Sequence, residues 1–407
     1  MTVVFRVANS DDKDKNAIAD LLKYVYDESP PAIEHFKALY ELIYKEWHVG
    51  IIRDKIVTCL RSIPLNQNIR GTFKKMAGVG MVGTYPEHRR KGYCRDLMIC
   101  AFEKMKNDGI LVSTLTPFKD SFYMKFNYVN AKPHQFIELN PSWLERWKIL
   151  PEGYSLKRMQ ISEGVRELRE LQEYTVSQFN GGVKLFDDRW KEFTEGNPAW
   201  LVLVYNAQKK VEGAMYYSMK GYGNRIFGED NIGRMGRIGF FPKTLEAKHA
   251  LFHFIYLHTE QLVQAMLPLF PHEDNFQSWI QGHIKTDIKQ HFISMVRIVN
   301  VETVFDGISV PEFEKRELCI EVKDPMCEWN NGILKLREEG GQLHSTFYPN
   351  ESADTKITIE GLTALLYGTV DVGEIEYFGW LENLCNEDKE TLLFWFPKIE
   401  YCCTEFF

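Results

Sequence analysis

The chain has 407 residues, which at about 150 residues per domain predicts two or three domains and excludes a single small module. With 44% hydrophobic and 26% charged residues, the composition is that of a folded protein and excludes a wholly disordered one. The 49 lysines and arginines against 56 aspartates and glutamates give a net charge of -7. This balance argues against a general polyanion binder, so we expect no nucleic-acid partner.

No apolar run approaches the ~18 residues of a membrane helix, and the N-terminus lacks a basic leader followed by an apolar segment. We therefore expect a cytoplasmic protein with no membrane partner. The eight cysteines include no C-x-x-C pair, so we interpret them as reduced thiols. His249 and His253 are four residues apart, but no carboxylate completes an H-E-x-x-H pattern, so we expect no metal site.

Strand-like and helix-like segments alternate in the first ~145 residues. The predicted elements are a helix from Asp11 to before Pro30, a helix over residues 32–44, a hairpin over 49–63 that turns at 53–55, a strand over 74–84, a helix over 94–107 and a strand over 110–116. The spacing of Leu97, Ala101 and Met105 predicts the buried face of the last helix. This alternation indicates an α/β domain around a mixed sheet.

Prolines and a glycine at positions 141, 151 and 153 indicate a boundary near residue 150. Beyond it, the patterns predict a helix over 164–178, a hairpin over 200–219, a strand over 237–241 and a long helix over 245–266. The order strand, proline, helix repeats that of the first region, with Pro242 in the place of Pro86 and without the basic loop. A third region of strands and short helices begins near Met295. The predicted domains are residues 1–148, 149–290 and 291–407.

The loop Pro86-Glu-His-Arg-Arg-Lys-Gly92, between a predicted strand and a predicted helix, has the clearest chemical pattern. Free backbone N–H groups and the positive end of a helix converge at such a turn, which favours a pyrophosphate. Gly92 allows the backbone to approach closely, and the flanking cations add charge. On composition alone, a solvated basic turn explains these residues equally well.

A glycine pattern just upstream, Gly78-Val-Gly-Met-Val-Gly83, matches the dinucleotide fingerprint G-x-G-x-x-G. That fingerprint opens directly into a helix, whereas here Thr84, Tyr85 and Pro86 intervene. We therefore reject a dinucleotide site and place the glycines within a strand.

The segment Val82-Gly-Thr84 with the loop that follows resembles motif A of the GNAT N-acetyltransferases, which holds the pyrophosphate of acetyl-CoA. His88-Arg-Arg-Lys-Gly-Tyr-Cys-Arg95 is similar to the same segment of the enhanced intracellular survival (Eis) acetyltransferases, where a residue larger than the usual Gly or Ala at the position of Cys94 is common. The resemblance implies acetyl-CoA as co-substrate and backbone contacts from Val82 and Thr84 to its pantetheine and thioester. The residues it implies for the pyrophosphate are Arg89, Arg90, Lys91, Gly92, Tyr93, Cys94 and Arg95.

Two further features resemble the Eis proteins. The segment from Pro117 to Tyr128 is similar to the one in which a tyrosine acts as general acid, which implies that role for Tyr123, with Asn127 in place of the usual glycine. On sequence physics alone, Tyr123 is a packed aromatic among phenylalanines. The sequence ends at Phe407, and in Eis proteins the terminal carboxylate is the general base. The aromatic-rich tail favours a docked C-terminus, and a last strand of the third domain is compatible with the same pattern.

The Eis layout implies an α/β fold with two fused GNAT-type domains, the second degenerate, followed by a sterol-carrier-protein-like α+β domain, and it implies a hexamer. The acidic residues Asp27, Glu28 and Glu405 are candidate contacts for a cationic acceptor. The implied function is acetyl-CoA-dependent N-acetylation of primary amines by direct transfer, with aminoglycoside antibiotics as the substrate class and antibiotic resistance as the consequence. The alternatives are a lipid-binding protein with vestigial GNAT domains and a protein-lysine acetyltransferase.

Overall fold

The structure is a computed structural model and describes residues 3–221, 233–271, 279–280, 288–311, 317–403, 405 and 407. The chain forms two compact units. Unit 1 combines Met1–Lys132 with Ile293–Phe407, and unit 2 is Pro133–Phe292. The first and last parts of the chain therefore fold together in one unit.

The N-terminal part of unit 1 has the predicted alternation of strands and helices. Its elements are β1 (Val4–Val7), α1 (Asp12–Tyr26), α2 (Pro30–Ile43), β2 (Trp47–Ile52), β3 (Lys55–Ile69), β4 (Thr72–Thr84), α3 (Tyr93–Asn107), β5 (Val112–Leu115), α4 (Asp120–Tyr123) and the start of β6 (Val129–Leu139). The side chain of Asp11 caps α1, as its position before the helix predicts. Pro30 and Pro31 begin α2 instead of preceding it, because proline is tolerated in the first turn of a helix.

Unit 2 contains a mixed sheet. Its further elements are β7 (Ser155–Gln160), α5 (Val165–Val176), β8 (Val183–Lys184), α6 (Asp187–Thr194), β9 (Trp200–Tyr205), β10 (Val211–Lys220), β11 (Arg234–Pro242), α7 (Leu245–Tyr256) and β12 (Gln264–Leu269). The strand order is β6-β12-β11-β10-β9-β7. Strands β11 and β12 are parallel and α7 connects them, as α3 connects the parallel β4 and β5 in unit 1. The predicted repetition of strand, loop and helix is therefore present.

The predicted long helix over residues 245–266 is wrong. Helix α7 ends at Tyr256, and Met266 lies in β12, paired with Glu138 of β6. Buried apolar residues occur in the helix up to Ile255 and again from Leu262, and periodicity by itself does not distinguish a short buried strand from a helix.

The C-terminal part of unit 1 adds a strand to the first sheet and forms a second sheet. Its elements are β13 (Ile288–Ile298), β14 (Glu317–Lys323), β15 (Gly332–Glu339), β16 (Gln342–Pro349), β17 (Lys356–Thr358), α8 (Ile359–Tyr367), α9 (Val372–Tyr377), β18 (Leu381–Glu382) and α10 (Asn386–Trp395). The order of the second sheet is β16-β15-β14-β17-β18. Strand β13 instead lies antiparallel to β5, with Met295 opposite Leu115. The first sheet in unit 1 is thus β1-β2-β3-β4-β5-β13.

Helices cover this first sheet with apolar faces. Leu97, Ala101 and Met105 of α3 are fully buried, as the spacing predicts, and they share a core with Met295 of β13. A second core joins Ile18 of α1 and residues of α2 to β2 and β3. Among the described residues, no helix is both long enough and apolar enough to cross a membrane.

Candidate active site

The end of β4 extends beyond its parallel neighbour. Strands β4 and β5 pair from Met76 opposite Val112 to Val79 opposite Leu115, where β5 ends, while β4 continues to Thr84. In the part of the chain that the structure describes, no strand pairs with residues 80–84 on that side. The backbone groups there remain available to an extended ligand, since an unpaired strand edge accepts further main-chain hydrogen bonds.

A β-bulge shapes the same stretch of β4. Cys59 of β3 faces Gly83 and Arg61 faces Gly80, so two residues of β4, Met81 and Val82, lie opposite one residue of β3. Met81 has a φ of 52°, in the left-handed region that non-glycine residues rarely adopt. Bulges of this kind redirect the backbone and are common beside active sites.

The loop after β4 presents exposed cations next to the start of α3. Arg89 Nε donates to the Thr84 carbonyl at 3.0 Å, and Lys91 Nζ donates to the Glu87 carbonyl at 2.7 Å. Gly92, with a φ of 83°, is the N-cap of α3. Of the described atoms, only Asp96 Oδ2, at 4.0 Å, would meet a Cβ on this glycine. Open space, free N–H groups of the first turn of a helix and exposed cations together fit a pyrophosphate.

The remaining loop residues differ in exposure. Arg90 and Arg95 are exposed, and the ring of Tyr93 is half-buried and lies 6.3 Å from the ring of His88. Cys94 is half-buried, and burial raises the pKa of its thiol to about 12. A thiol that stays protonated at neutral pH is a weak nucleophile, so Cys94 does not suit an acyl-enzyme mechanism.

Tyr123, the last residue of α4, is 4% exposed and belongs to the same core as α3. Its ring packs against Phe122 at 5.1 Å and Phe118 at 5.6 Å between ring centroids. Burial, followed by the nearby phenol of Tyr26, raises the pKa of Tyr123 far above its usual value. Within the described part of the chain, no group is hydrogen-bonded to its phenol oxygen.

Tyr26 is a site residue that sequence analysis missed. It is the last residue of α1, and its hydroxyl donates to the Val82 carbonyl at 2.9 Å. Burial raises the pKa of its phenol well above the usual value. The helical spacing of α1 gives no sign of a contact between Tyr26 and the distant strand β4.

The three acidic candidates lie next to residues of this region. Exposed Asp27 ends α1 with a φ of 52°, and half-buried Glu28 follows it, so both are within two residues of Tyr26. Glu405 is two residues before Phe407, and its backbone carbonyl accepts a hydrogen bond from the Cys403 thiol at 3.5 Å. All three are in unit 1 together with the loop cations.

Phe407 lies against two glycines of β4. A Cβ on Gly78 would overlap the Phe407 ring, and a Cβ on Gly80 would lie 2.8 Å from the carboxyl carbon of Phe407. Residues two apart on a strand share a face, so Gly78 and Gly80 form one surface, which we call the glycine seat. The carboxyl group of Phe407 therefore lies on the strand that carries Val82 and Thr84.

The tail that leads to Phe407 is tied to the hairpin of β3 and β4. The Tyr367 hydroxyl donates to Gln67 Oε1 at 2.8 Å, and Gln67 Nε2 donates to the Tyr401 hydroxyl at 3.4 Å. The Arg70 guanidinium, in the turn of this hairpin, donates to the carbonyls of Leu365 at 2.8 Å and Pro397 at 3.0 Å. These contacts order the chain as far as the buried Tyr401.

The two histidines considered as metal ligands both contact Trp147. His253 Nδ1 lies 3.2 Å from the Trp147 carbonyl, and the ring of His249 packs edge-on against Trp147. Over the ranges that the structure describes, no group of three His, Cys, Asp or Glu side chains is arranged to hold a metal ion.

Known protein families match two parts of the chain. Residues 6–131 match the acetyltransferase (GNAT) domain, and residues 301–401 match the sterol carrier protein domain. Among curated proteins, no relative matches.

Solved structures share the fold over the whole chain. A GCN5-related N-acetyltransferase from Anabaena variabilis has a TM-score of 0.84 at 18% identity, covering 100% of both chains. A probable N-acyltransferase from Enterococcus faecalis has a TM-score of 0.82 at 19% identity, and Eis1 from Mycobacterium abscessus has a TM-score of 0.74 at 14% identity, each covering 100% of both chains. At these identities the likeness shows the fold alone.

The predicted α/β fold, with GNAT-type domains followed by a sterol-carrier-like domain, is confirmed. The match to the GNAT domain also confirms the expected enzyme class, an acetyltransferase. The chain carries a GNAT acetyltransferase domain in its N-terminal part, at residues 6–131, and a sterol carrier protein domain in its C-terminal part, at residues 301–401.

Proposed function

We propose that the chain is an Eis-like enzyme that transfers the acetyl group of acetyl-CoA directly to a primary amine of a cationic small molecule of the aminoglycoside type. The observation that carries this proposal is the position of Phe407, whose carboxyl group lies on the glycine seat of β4. This carboxylate belongs to a residue outside the range that matches the GNAT domain, residues 6–131. We further propose the hexamer that the Eis resemblance implies.

Acetyl-CoA, when bound, supplies an acetyl thioester, and its leaving thiolate takes up one proton. The residues suited to hold it are Val82 and Thr84 for the pantetheine and thioester, and Arg89, Arg90, Lys91, Gly92, Tyr93, Cys94 and Arg95 for the pyrophosphate. The unpaired edge of β4 supplies main-chain groups, and the first turn of α3 supplies N–H donors. The loop cations are exposed and therefore available to the phosphates.

Phe407 and Tyr123 divide the proton transfers between them. The Phe407 carboxylate removes a proton from the acceptor amine, directly or through water, and attracts a cationic acceptor. Tyr123 keeps its phenol proton at neutral pH, since the pKa of a tyrosine is already about 10 and burial raises it further, and it donates that proton to the leaving thiolate.

The acidic residues indicate the acceptor class. Asp27 and Glu28 come directly after Tyr26, whose hydroxyl donates to the Val82 carbonyl. Glu405 lies two residues before Phe407. Carboxylates concentrate cations around them, which favours an acceptor that carries several amines. We propose that these three residues contact such an acceptor.

The test of this proposal is release of the CoA thiol from acetyl-CoA with a panel of aminoglycosides, polyamines and lysine peptides. We expect turnover with cationic small molecules, and a loss of about 100-fold or more in kcat for Tyr123→Phe, since general acids contribute ~10²–10⁴-fold. Tyr348→Phe, a half-exposed tyrosine on β16, is the matched control and should keep full activity.

Other outcomes of the same panel favour the alternatives. Turnover of lysine peptides only would favour a protein-lysine acetyltransferase. No turnover, together with no rise in melting temperature on adding CoA, would contradict the proposal and favour lipid binding by the sterol carrier protein domain at residues 301–401, since a ligand of the native state raises its stability.

A further inference from the structure

An ion pair in the C-terminal part of unit 1 is completely buried. Arg297 of β13 and Asp324 after β14 have no exposed side-chain surface, and Arg297 Nη2 donates to both Asp324 oxygens at 2.8 and 2.7 Å. Asp324 also accepts from the Cys327 N–H at 3.1 Å and from Asn330 Nδ2 at 2.8 Å. A buried charge pair is stable only when such further hydrogen bonds satisfy it, so this guanidinium is held rigidly.

The other side of the guanidinium holds the segment that carries Tyr123. Arg297 Nη1 donates to the Phe126 carbonyl at 2.7 Å, and the guanidinium carbon lies 4.8 Å from the centroid of the Phe102 ring. Phe126 ends the 3₁₀ turn Met124–Phe126, which continues directly from α4. A cation at the last carbonyl of a helical segment fixes its end and offsets its dipole.

A second contact reaches the next residue of this segment. Asn127 has a φ of 61°, and its Nδ2 donates to Glu360 Oε1 of α8. The C-terminal part of unit 1 thus holds residues 126 and 127, three and four residues after Tyr123. Since none of the described groups is hydrogen-bonded to the Tyr123 phenol itself, the position of that phenol depends on this short segment and on its aromatic neighbours.

We infer that Arg297 is a positioning residue for the Tyr123 phenol, with Glu360 as a second and weaker tether. The inference rests on the proposed role of Tyr123 as the proton donor. Arg297 is too deeply buried behind Phe126 to touch a substrate, and it acts by fixing the turn that follows Tyr123. The C-terminal part of unit 1 then contributes to both proton transfers, through Phe407 and through the placement of Tyr123.

The test is Arg297→Lys in two backgrounds, native and Tyr123→Phe. Lysine keeps a positive charge for Asp324. Its single ammonium group does not replace the two guanidinium nitrogens, one of which donates to Asp324 and the other to the Phe126 carbonyl. We expect kcat to fall about 10-fold in the native background, since a misplaced catalytic group loses rate steeply, with KM for acetyl-CoA unchanged within about 2-fold. We expect no further fall in the Tyr123→Phe background, because the two residues act as one unit.

Glu360→Ala and Glu360→Gln give a second measurement that does not disturb the buried ion pair. The alanine variant removes the acceptor of the Asn127 amide and should lower kcat several-fold, whereas glutamine keeps an acceptor oxygen and should restore the native kcat. An equal loss from Arg297→Lys in both backgrounds, or native kcat in both Arg297→Lys and Glu360→Ala, would overturn the inference while Tyr123 remained the acid. An unchanged kcat in Tyr123→Phe would instead remove the proposed acid and this inference with it.

Discussion

Gly78 and Gly80 lie where Phe407, distant in sequence, packs closely against β4 and leaves no room for a side chain. Their positions within a strand follow from the chain order, because Thr84, Tyr85 and Pro86 separate them from the next helix. No local pattern explains glycine at these positions, since the group that packs against them is Phe407, more than 320 residues later. Two glycines on one face of a strand are themselves a signal of close approach by another group.

Gly80→Ala should displace the carboxyl group of Phe407, because the added Cβ would lie 2.8 Å from the carboxyl carbon. We expect kcat to fall by about 10-fold or more, from the misplacement of a catalytic group, with the affinity for CoA retained. Steady-state kinetics and CoA-induced thermal stabilisation measure the two effects. Gly236→Ala in β11 is the matched control, because none of the described atoms lies within 4 Å of its added Cβ.

The raised pKa of Tyr123 predicts how kcat depends on pH. Its pKa is raised, so the protonated donor persists at least to the ordinary tyrosine value of about 10, and activity is lost only as pH rises through the raised value. We therefore expect that kcat does not decrease below about pH 10 because of Tyr123. Any decrease in that range should be the same in the native chain and in Tyr123→Phe. A tyrosine-dependent fall near pH 8 would contradict a buried, protonated donor.

Among the elements, the β4-loop-α3 unit was the most predictable. Its strand, basic loop and amphipathic helix are all present, since an alternating strand, a proline and a clear helical period leave little ambiguity. The helix predicted over residues 245–266 was wrong beyond Tyr256, because the short buried strand β12 is rich in apolar residues and its period is not distinct from that of α7.

Arg95→Ala tests the loop and the first turn of α3 as the phosphate site. Loss of one charge-assisted hydrogen bond should raise the dissociation constant of acetyl-CoA by about 10-fold or more and weaken its salt dependence. Isothermal titration at two salt concentrations measures both. Lys104→Ala, in the last turn of the same helix, removes only a surface ion pair with Asp108 and should leave binding unchanged. Equal effects of the two substitutions would place the phosphates elsewhere.

Strand β2 carries a histidine that ties stability to pH. Burial lowers the pKa of His48 to about 4, so the folded state binds fewer protons than the unfolded state between pH 4 and the unfolded value of about 6.5. The free energy of unfolding should therefore decrease as pH falls through that window, by roughly 3 kcal/mol in total from this group. Urea unfolding at several pH values should show a shallower decrease for His48→Leu than for the native chain. An identical pH dependence in the two proteins would show that His48 is accessible to protons in the folded state.

At the scale of the whole molecule, unit 1 joins parts of the chain that sequence analysis treated as separate domains. Strand β13 completes the sheet beside β5, with about 180 residues between the paired positions, and the tail contacts the hairpin of β3 and β4. Periodicity and motifs identify elements locally, but they do not specify which distant strands pair. The fold class and the loop were therefore predictable, whereas the glycine seat, the Tyr26 contact and the Arg297 pair required the structure.

The central claim is that the carboxyl group of Phe407 takes part in acetyl transfer from the glycine seat. The most direct measurement is kcat of a chain extended by a few residues beyond Phe407, with the same residues added before Met1 as the control. We expect the C-terminal extension to lower kcat about 100-fold or more, the scale of a lost general base, while CoA-induced thermal stabilisation stays native. Native kcat in the extended chain would contradict the claim and remove the Phe407 carboxylate from the mechanism.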